Sequence, residues 1–450
     1  MGVHRSMSLD FRLRNLCTAG MLLALALCNA NAASIDITPS GDLRAAIAAL
    51  KPGDELVLGG GTYTMSTRFG IAVVGTQQQP ITIRAKTGEK PRIHMTTNLQ
   101  NVIEIQGSSY LNFRGIEVTG GSHGIRLMDS DFVTIENCEI HETGDVGISA
   151  NSGGTYEGLR ILRNHIHHTH GTGEGMYLGC NDDGCRVANS LIEGNYIHHT
   201  NSADVEQGDG IEIKEGSYGN TIRDNVIHDT TYPGIITYST VGNGPPNILE
   251  GNVIWNSSDN TIQSAADVII RNNIVLGNIS LQTHQAGSPG NVQVVNNTII
   301  NSGAGIDVRN VVGSVLIANN AVYSQGEAAI RLISGNLGLV TLAGNVGHGG
   351  LSGGSSGYTE GKGIAADFVN AHYGVPPLDV FPRSGSALIG TASAANVPAL
   401  DFNGSSRTGT NDVGAYRYNA AGNPGWVISA GFKTSGTVVR PNPPTNLTAQ

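Results

Sequence analysis

The chain has 450 residues, a formal net charge of −10 at pH 7, only 14% charged side chains and 62 glycines. The acidic balance argues against nucleic acid as a partner, although a local basic groove can still oppose the overall sign and take an anionic polymer. So many glycines and so few charges describe a turn-rich, strand-rich architecture rather than a helical bundle.

In chain order, Arg12 and Arg14 precede the apolar run "MLLALALC" from Met21 and the small residues "ANA" ending at Ala32. This reads as a secretory signal over residues 1–33, which would deliver the mature chain to a periplasm or the medium. Leu27 is bulky where a lipoprotein signal needs a small residue before Cys28. No later apolar stretch approaches the about 20 residues of a spanning helix, so no membrane partner is expected. "LRAAIAALKPGDELVLGGGTY" from Leu43 predicts a short amphipathic helix, a turn and a strand. Residues 34–96 would then hold the first strands and an N-terminal cap that closes one end of the core.

Residues 97–350 repeat themselves. Asn164, Asn195, Asn225, Asn252, Asn273, Asn297 and Asn320 each stand two residues ahead of an Ile or Val. The steps between them are 31, 30, 27, 21, 24 and 23 residues, too irregular for a helical solenoid but suited to coils with turns of varying length. Each unit also carries an alternating strand after a glycine, as in "GIRLM", "GMYLG", "GIEIK", "GIITY" and "GIDVR". Together these predict an all-β parallel β-helix with an internal asparagine ladder, each amide pairing with the coils above and below. A second column aligns His141, His167, His198 and His228 with Trp255. Zinc would need imidazoles of the His165, His167, His168 and His170 cluster to converge on one point, whereas repetition sets them in a row, and the row is the expectation.

Alternate residues of a strand face out. The outward row after each glycine therefore contains Arg126, Ser149, Tyr177, Glu212, Lys214, Ile236, Tyr238, Gln263, Gln282, His284, Asp307, Arg309 and Arg331. Tyrosine offers a flat face for sugar rings and Arg or Lys can neutralise carboxylates. Arg126, Tyr177, His284, Asp307 and Arg309 are accordingly candidates for binding substrate. At the centre of the row, Lys214 is the candidate base for abstracting a proton α to a uronate carboxylate, Tyr238 the candidate acid for the leaving oxygen, and Glu212 a third catalytic candidate. Asp209 and Glu174 precede their strand glycines on neighbouring coils, and with Asp204 they make a candidate Ca2+ group. In "CNDDGC", Cys180 and Cys185 are expected to form a disulfide, while Cys138 is expected to be a buried small apolar residue. The rhythm fades near Gly350, so residues 351–438 are read as a C-terminal cap or a segment packed back along the coils, and the proline-rich 439–450 as a linker.

The entry run "LKPGDELVLGGGTYTM" and the segment "EIKEGSYGNTIRDN" resemble the chondroitinase B and alginate lyase family, right-handed parallel β-helix enzymes of the pectate-lyase-like superfamily. The resemblance implies a base role for Lys214 and a metal role for Glu212, beside calcium that neutralises the uronate. The family's arginine on the following coil has no counterpart, Tyr238 standing in "GIITYS". The expected function is a secreted, monomeric polysaccharide lyase cleaving an acidic, uronate-containing polysaccharide by β-elimination. The alternatives are a glycoside hydrolase using paired carboxylates such as Glu212 with Asp209 or Asp307, a C5-epimerase, and a non-catalytic carbohydrate-binding or adhesin module.

Overall fold

The computed structural model describes residues 1–2 and 32–434; most of the expected signal segment and the proline-rich tail lie outside the described residues. From Glu55 onward the chain visits three parallel sheets in rotation, and these hold 13, 13 and 12 strands. One coil runs through Arg160–Leu162 in the first sheet, His165–His167 in the second and Met176–Leu178 in the third. The next repeats the course at Leu191–Glu193, Tyr196–Thr200 and Ile211–Ile213, paired in register with the coil before it. This is a right-handed parallel β-helix. The helix Leu43–Ala48, capped by the Asp42 side chain accepting from the Ala45 N–H, buries Leu43 and Ile47 against the first coils.

The interior is lined by stacked aliphatic residues, with the asparagine ladder at the corner between the first and second sheets. Every ladder side chain is fully buried, and each amide oxygen accepts from the backbone N–H and the side-chain amide of its neighbour one coil back. Each Nδ2 also reaches a strand carbonyl, as Asn195 does to Ile161 O at 2.9 Å. These turns have no β partner for their inward groups, so the side chains supply one. The ladder runs one rung further than the sequence count, to Asn345. Cys138 occupies the rung below Asn164, donating its backbone N–H to Asn164 Oδ1 at 3.0 Å, and it is buried and unpaired as expected.

His141, His167, His198, His228 and Trp255 are in register on the second sheet. Their rings stack at 4.9, 5.1, 5.1 and 4.4 Å, nearly parallel. The row is therefore architectural. Burial, reinforced by the charges of neighbouring histidines, lowers His167 to about 3 and His198 to about 2. Both lie below the unfolded value of about 6.5, so the neutral stack stabilises fully above that pH and its contribution is lost as pH falls. Unfolding followed in denaturant should show about 2 kcal/mol of stability lost between pH 6.5 and 5, after discounting for solvent on the open side. A flat profile in that window would contradict the buried neutral stack.

After Gly350 the chain turns back along the outside of the second sheet. Phe368, Val380, Phe381, Phe402 and Tyr416 pack on Val226, Val253, Ile274, Ile300 and Tyr323, forming a second apolar cluster outside the coils. Buried Arg407 fastens the segment, donating to the carbonyls of Gly414, Asp412 and Tyr416 and to Asn272 Oδ1.

Candidate active site

The third sheet carries the outward row. Arg126, Ser149, Tyr177, Glu212, Ile236, Gln263, Ser280, Asp307 and Arg331 follow one another in register. Ser280, not Gln282, holds the position between Gln263 and Asp307, and Gln282, two residues on, donates to Gln263 Oε1 at 2.8 Å. The glycine that precedes several of these strands answers a close approach of backbones: a Cβ on Gly175 would lie 2.6 Å from the Gly210 carbonyl oxygen.

Glu174 and Asp209 stand immediately before Gly175 and Gly210, so the same turn positions them one coil apart. Gly175 N–H donates to Asp209 O at 2.8 Å, which locks the two turns together. Glu212 follows on the strand itself. The three carboxylates are buried, each offering an oxygen within 4.8 Å of the others. Glu174 Oε1, Asp209 Oδ1 and Glu212 Oε2 are buried without a hydrogen-bond partner. Burial pushes Glu174 up to about 7 despite the hydrogen bond from Thr172. Burial, with the charges of Glu212 and Glu174, lifts Asp209 well above the carboxylate range. Orphaned, crowded oxygens of this kind fit a hard cation such as Ca2+.

Glu212 uses its other oxygen differently. Lys214 Nζ donates to Glu212 Oε1 at 2.5 Å and to Tyr238 Oη at 3.2 Å, and the Tyr238 hydroxyl donates to Glu212 Oε1 at 2.9 Å. The ammonium sits between two aromatic faces, 4.6 Å from the Tyr177 ring centre and 4.7 Å from that of Tyr238. Burial would favour the neutral amine, but the charge and hydrogen bond of Glu212 outweigh it and raise Lys214 above its ordinary value. Burial also raises both tyrosine hydroxyls, Lys214 pulling Tyr177 back down while Glu212 lifts Tyr238 further. His284 Nε2 lies 3.0 Å from Tyr238 Oη, and burial together with the Lys214 charge lowers it, leaving a neutral imidazole.

Of the residues singled out from the sequence, Tyr177, Glu212, Lys214, Tyr238 and His284 come together, with Glu174 and Asp209 beside them. Asp204 does not join the carboxylates. It is exposed on the loop leaving the second sheet and bonds His170 Nδ1 at 2.9 Å, so the third oxygen donor is Glu212. Arg126 lies two positions before Tyr177 in the row. Asp307 lies four coils beyond Glu212, roughly 19 Å away at one strand spacing per coil, and is neutralised by Arg331 at 2.6 Å and Arg309 at 3.3 Å. That separation rules out Asp307 as a hydrolytic partner of Glu212.

Sequence reasoning missed the loop that meets the "CNDDGC" turn beside the site. The Cys180–Cys185 disulfide closes a loop whose Asn181 Oδ1 accepts from Gln285 Nε2 at 3.0 Å, and Ala286 N–H donates to Glu215 Oε1 at 3.0 Å. These contacts bring two loops, distant in sequence, over Lys214 and Tyr238. The disulfide was legible; the partner loop had no periodic signal.

A family model described as "Pel9A-like, right handed beta helix region" matches residues 27–244, the stretch that includes Glu174 to Tyr238. Pectate lyase L of Dickeya chrysanthemi is 24% identical over 316 residues, which is 64% of this chain and 67% of that protein. The crystal structure of pectate lyase Pel9A superposes with a TM-score of 0.51 and 17% identity over 86% of this chain and 96% of that one. The complex of XylC with xylose gives 0.54 and 10%, over 85% and 98%. The chain is thus similar to polysaccharide-lyase β-helices at low identity, and the superfamily resemblance read from its motifs stands.

Proposed function

We propose that the protein is a secreted lyase that cleaves a uronate-containing polysaccharide by β-elimination, with Lys214, Tyr238 and Glu212 as its catalytic group. The observation that carries this reading is the Lys214 ammonium, held between Tyr177 and Tyr238 and tied to Glu212 beside three carboxylate oxygens that lack partners. A uronate ring stacked on Tyr177 would bring its carboxylate toward this positive group. A Ca2+ ion held by Glu174, Asp209 and Glu212 would add positive charge to stabilise the enolate-like anion.

As base, Lys214 must first lose its proton. Tyr238 Oη is within hydrogen-bond reach of both Lys214 Nζ and His284 Nε2. Turned away from Glu212, its hydroxyl can take the lysine proton while passing its own to the neutral imidazole, a transfer that is uphill while Glu212 holds the ammonium and is eased when that contact is broken. The resulting amine abstracts the C5 proton, the C4–O bond breaks as a C4=C5 bond forms, and Tyr238 protonates the departing oxygen, drawing its replacement from His284. Arg126 and the more distant Arg309 would hold flanking uronates.

The test is incubation with pectate, alginate and glycosaminoglycans, with and without chelator. Ultraviolet absorbance from unsaturated ends supports the reading. Reducing ends without absorbance would replace it with a hydrolase, inversion at C5 with an epimerase, and binding without turnover with a carbohydrate-binding module. Asp209→Asn combined with Glu174→Gln should raise the Ca2+ concentration for half-maximal activity more than about tenfold, since two charged oxygen ligands are lost. An unchanged calcium profile would remove those residues from the metal group.

A further inference from the structure

The repeated "IHHT", "IHHT" and "IHDT" of the second sheet is not used by the site above. The stacked rings account for the first histidine of each pair but not for the residue after it. In an extended strand, neighbours point to opposite faces. Here His168, His199 and Asp229 have φ of 52, 54 and 56°, a left-handed conformation that recurs at this coil position, at Glu142 and Asn256 as well. The turn swings each side chain back beside the ring before it. His167 and His168 approach at 2.7 Å between Nδ1 atoms, His198 and His199 at 2.6 Å, and His228 Nδ1 and Asp229 Oδ2 at 2.7 Å.

We propose that His199, His228 and Asp229 form a site for one divalent cation of the zinc, copper or nickel class, on a different sheet from the proposed active site. The two pairs lie on adjacent coils in register, His198 opposite His228. His199, His228 and Asp229 offer donor atoms that all lie within 4.8 Å of one another, with His199 Nδ1 3.8 Å from Asp229 Oδ2. Donors around a tetrahedral ion at about 2.0–2.1 Å stand roughly 3.3 Å apart, a spacing straddled by the 2.7 Å from His228 Nδ1 to Asp229 Oδ2 and the 3.8 Å from His199 Nδ1 to Asp229 Oδ2. Small rotations of His199 and Asp229 suffice, because neither is packed in the ring column.

The surroundings aim the lone pairs. His198 Nε2 is 2.8 Å from His165 Nε2, and His228 Nε2 is 2.9 Å from Tyr196 Oη. With His228 Nε2 carrying the hydrogen, its Nδ1 presents a lone pair beside Asp229 Oδ2, the outer-shell arrangement that orients a metal-bound imidazole. The second oxygen of Asp229 is held by Asn256 Nδ2. His199 is about half exposed, with 47% of its side chain accessible, so an ion can enter from solvent. Two imidazoles and one carboxylate suit a borderline cation, whereas Ca2+ wants six to eight oxygens. Three coils before Asp229 the carboxylate at the same position, Glu142, turns to His170 instead.

The experiment is calorimetric titration of the untagged full chain with ZnCl2 in excess CaCl2, with thermal unfolding alongside. Wild type should bind one equivalent and gain Tm. His199→Ala, which leaves the ring column intact, and Asp229→Asn should each weaken zinc binding more than about 100-fold, since loss even of an outer-shell partner costs about 10–100-fold, and should lose the Tm gain. Glu174→Gln should bind zinc as wild type does. Absence of binding, or unchanged affinity in His199→Ala, overturns the site. Loss of binding in Glu174→Gln alone would move the zinc to the third sheet and overturn it equally, without bearing on the lyase assays.

Discussion

Lys214→Met is expected to leave a folded β-helix that forms unsaturated product about 10²–10⁴-fold more slowly, the loss that goes with a general base. Lys214→Arg should lose activity to nearly the same extent for a different reason. A guanidinium preserves the charge beside Glu212 but does not become a neutral base in a protein. Stability separates the variants. The methionine leaves Glu212 Oε1 with only the Tyr238 hydroxyl, beside two further buried carboxylates. The chelated Lys214→Met protein should therefore unfold about 3 kcal/mol more easily than wild type, the usual cost of stranding one partner of a buried pair. Lys214→Arg should recover most of that deficit. Initial rates on the substrate polymer, circular dichroism and unfolding midpoints give all three readings. Turnover by Lys214→Arg within tenfold of wild type would mean that charge, not proton abstraction, is what Lys214 supplies.

The fold was legible because its constraints recur. Asn164 to Asn320 each precede an inward aliphatic residue, and a signal repeated coil after coil survives irregular spacing. The centre of the candidate site was legible for the same reason: a glycine followed by period-2 alternation puts Tyr177, Glu212, Lys214 and Tyr238 outside the spiral, and register brings them together. What failed was the part carried by loops. Asp204 and Glu212 both stand within a few residues of Asp209, but only Glu212 is on a strand whose direction period-2 logic fixes; Asp204 follows a loop that takes it to His170. The Gln285 to Asn181 contact spans 104 residues between two loops without pattern, so no local reading could find it. The left-handed residues after the histidine column were visible only as letters, since the sequence does not give φ.

The largest stability loss is expected inside the ladder. Asn225 accepts from Asn195 N–H and Asn195 Nδ2, both at 2.9 Å, and donates through Nδ2 to Ile192 O at 3.0 Å and Asn252 Oδ1 at 2.9 Å. Alanine there removes the acceptor of one backbone and one side-chain donor and the donor of one carbonyl, in a place no exposed surface reaches. At about 1–3 kcal/mol for each stranded group, Asn225→Ala should lose roughly 4–6 kcal/mol, enough to unfold a domain of ordinary stability. Coils contact only their neighbours, so the damage should begin locally and spread by uncoupling the two halves. Cys138→Ala is the control. Cys138 stands in the same column, but its thiol makes only long contacts, 3.5 Å to Glu136 O and 3.9 Å to Phe113 O, while its backbone N–H keeps Asn164 Oδ1. That substitution should cost about 1 kcal/mol, a small cavity and no stranded donor. Denaturant unfolding of the two variants should differ by several kcal/mol, and an Asn225→Ala protein within about 1 kcal/mol of Cys138→Ala would show that the ladder amides are not what holds the corner closed.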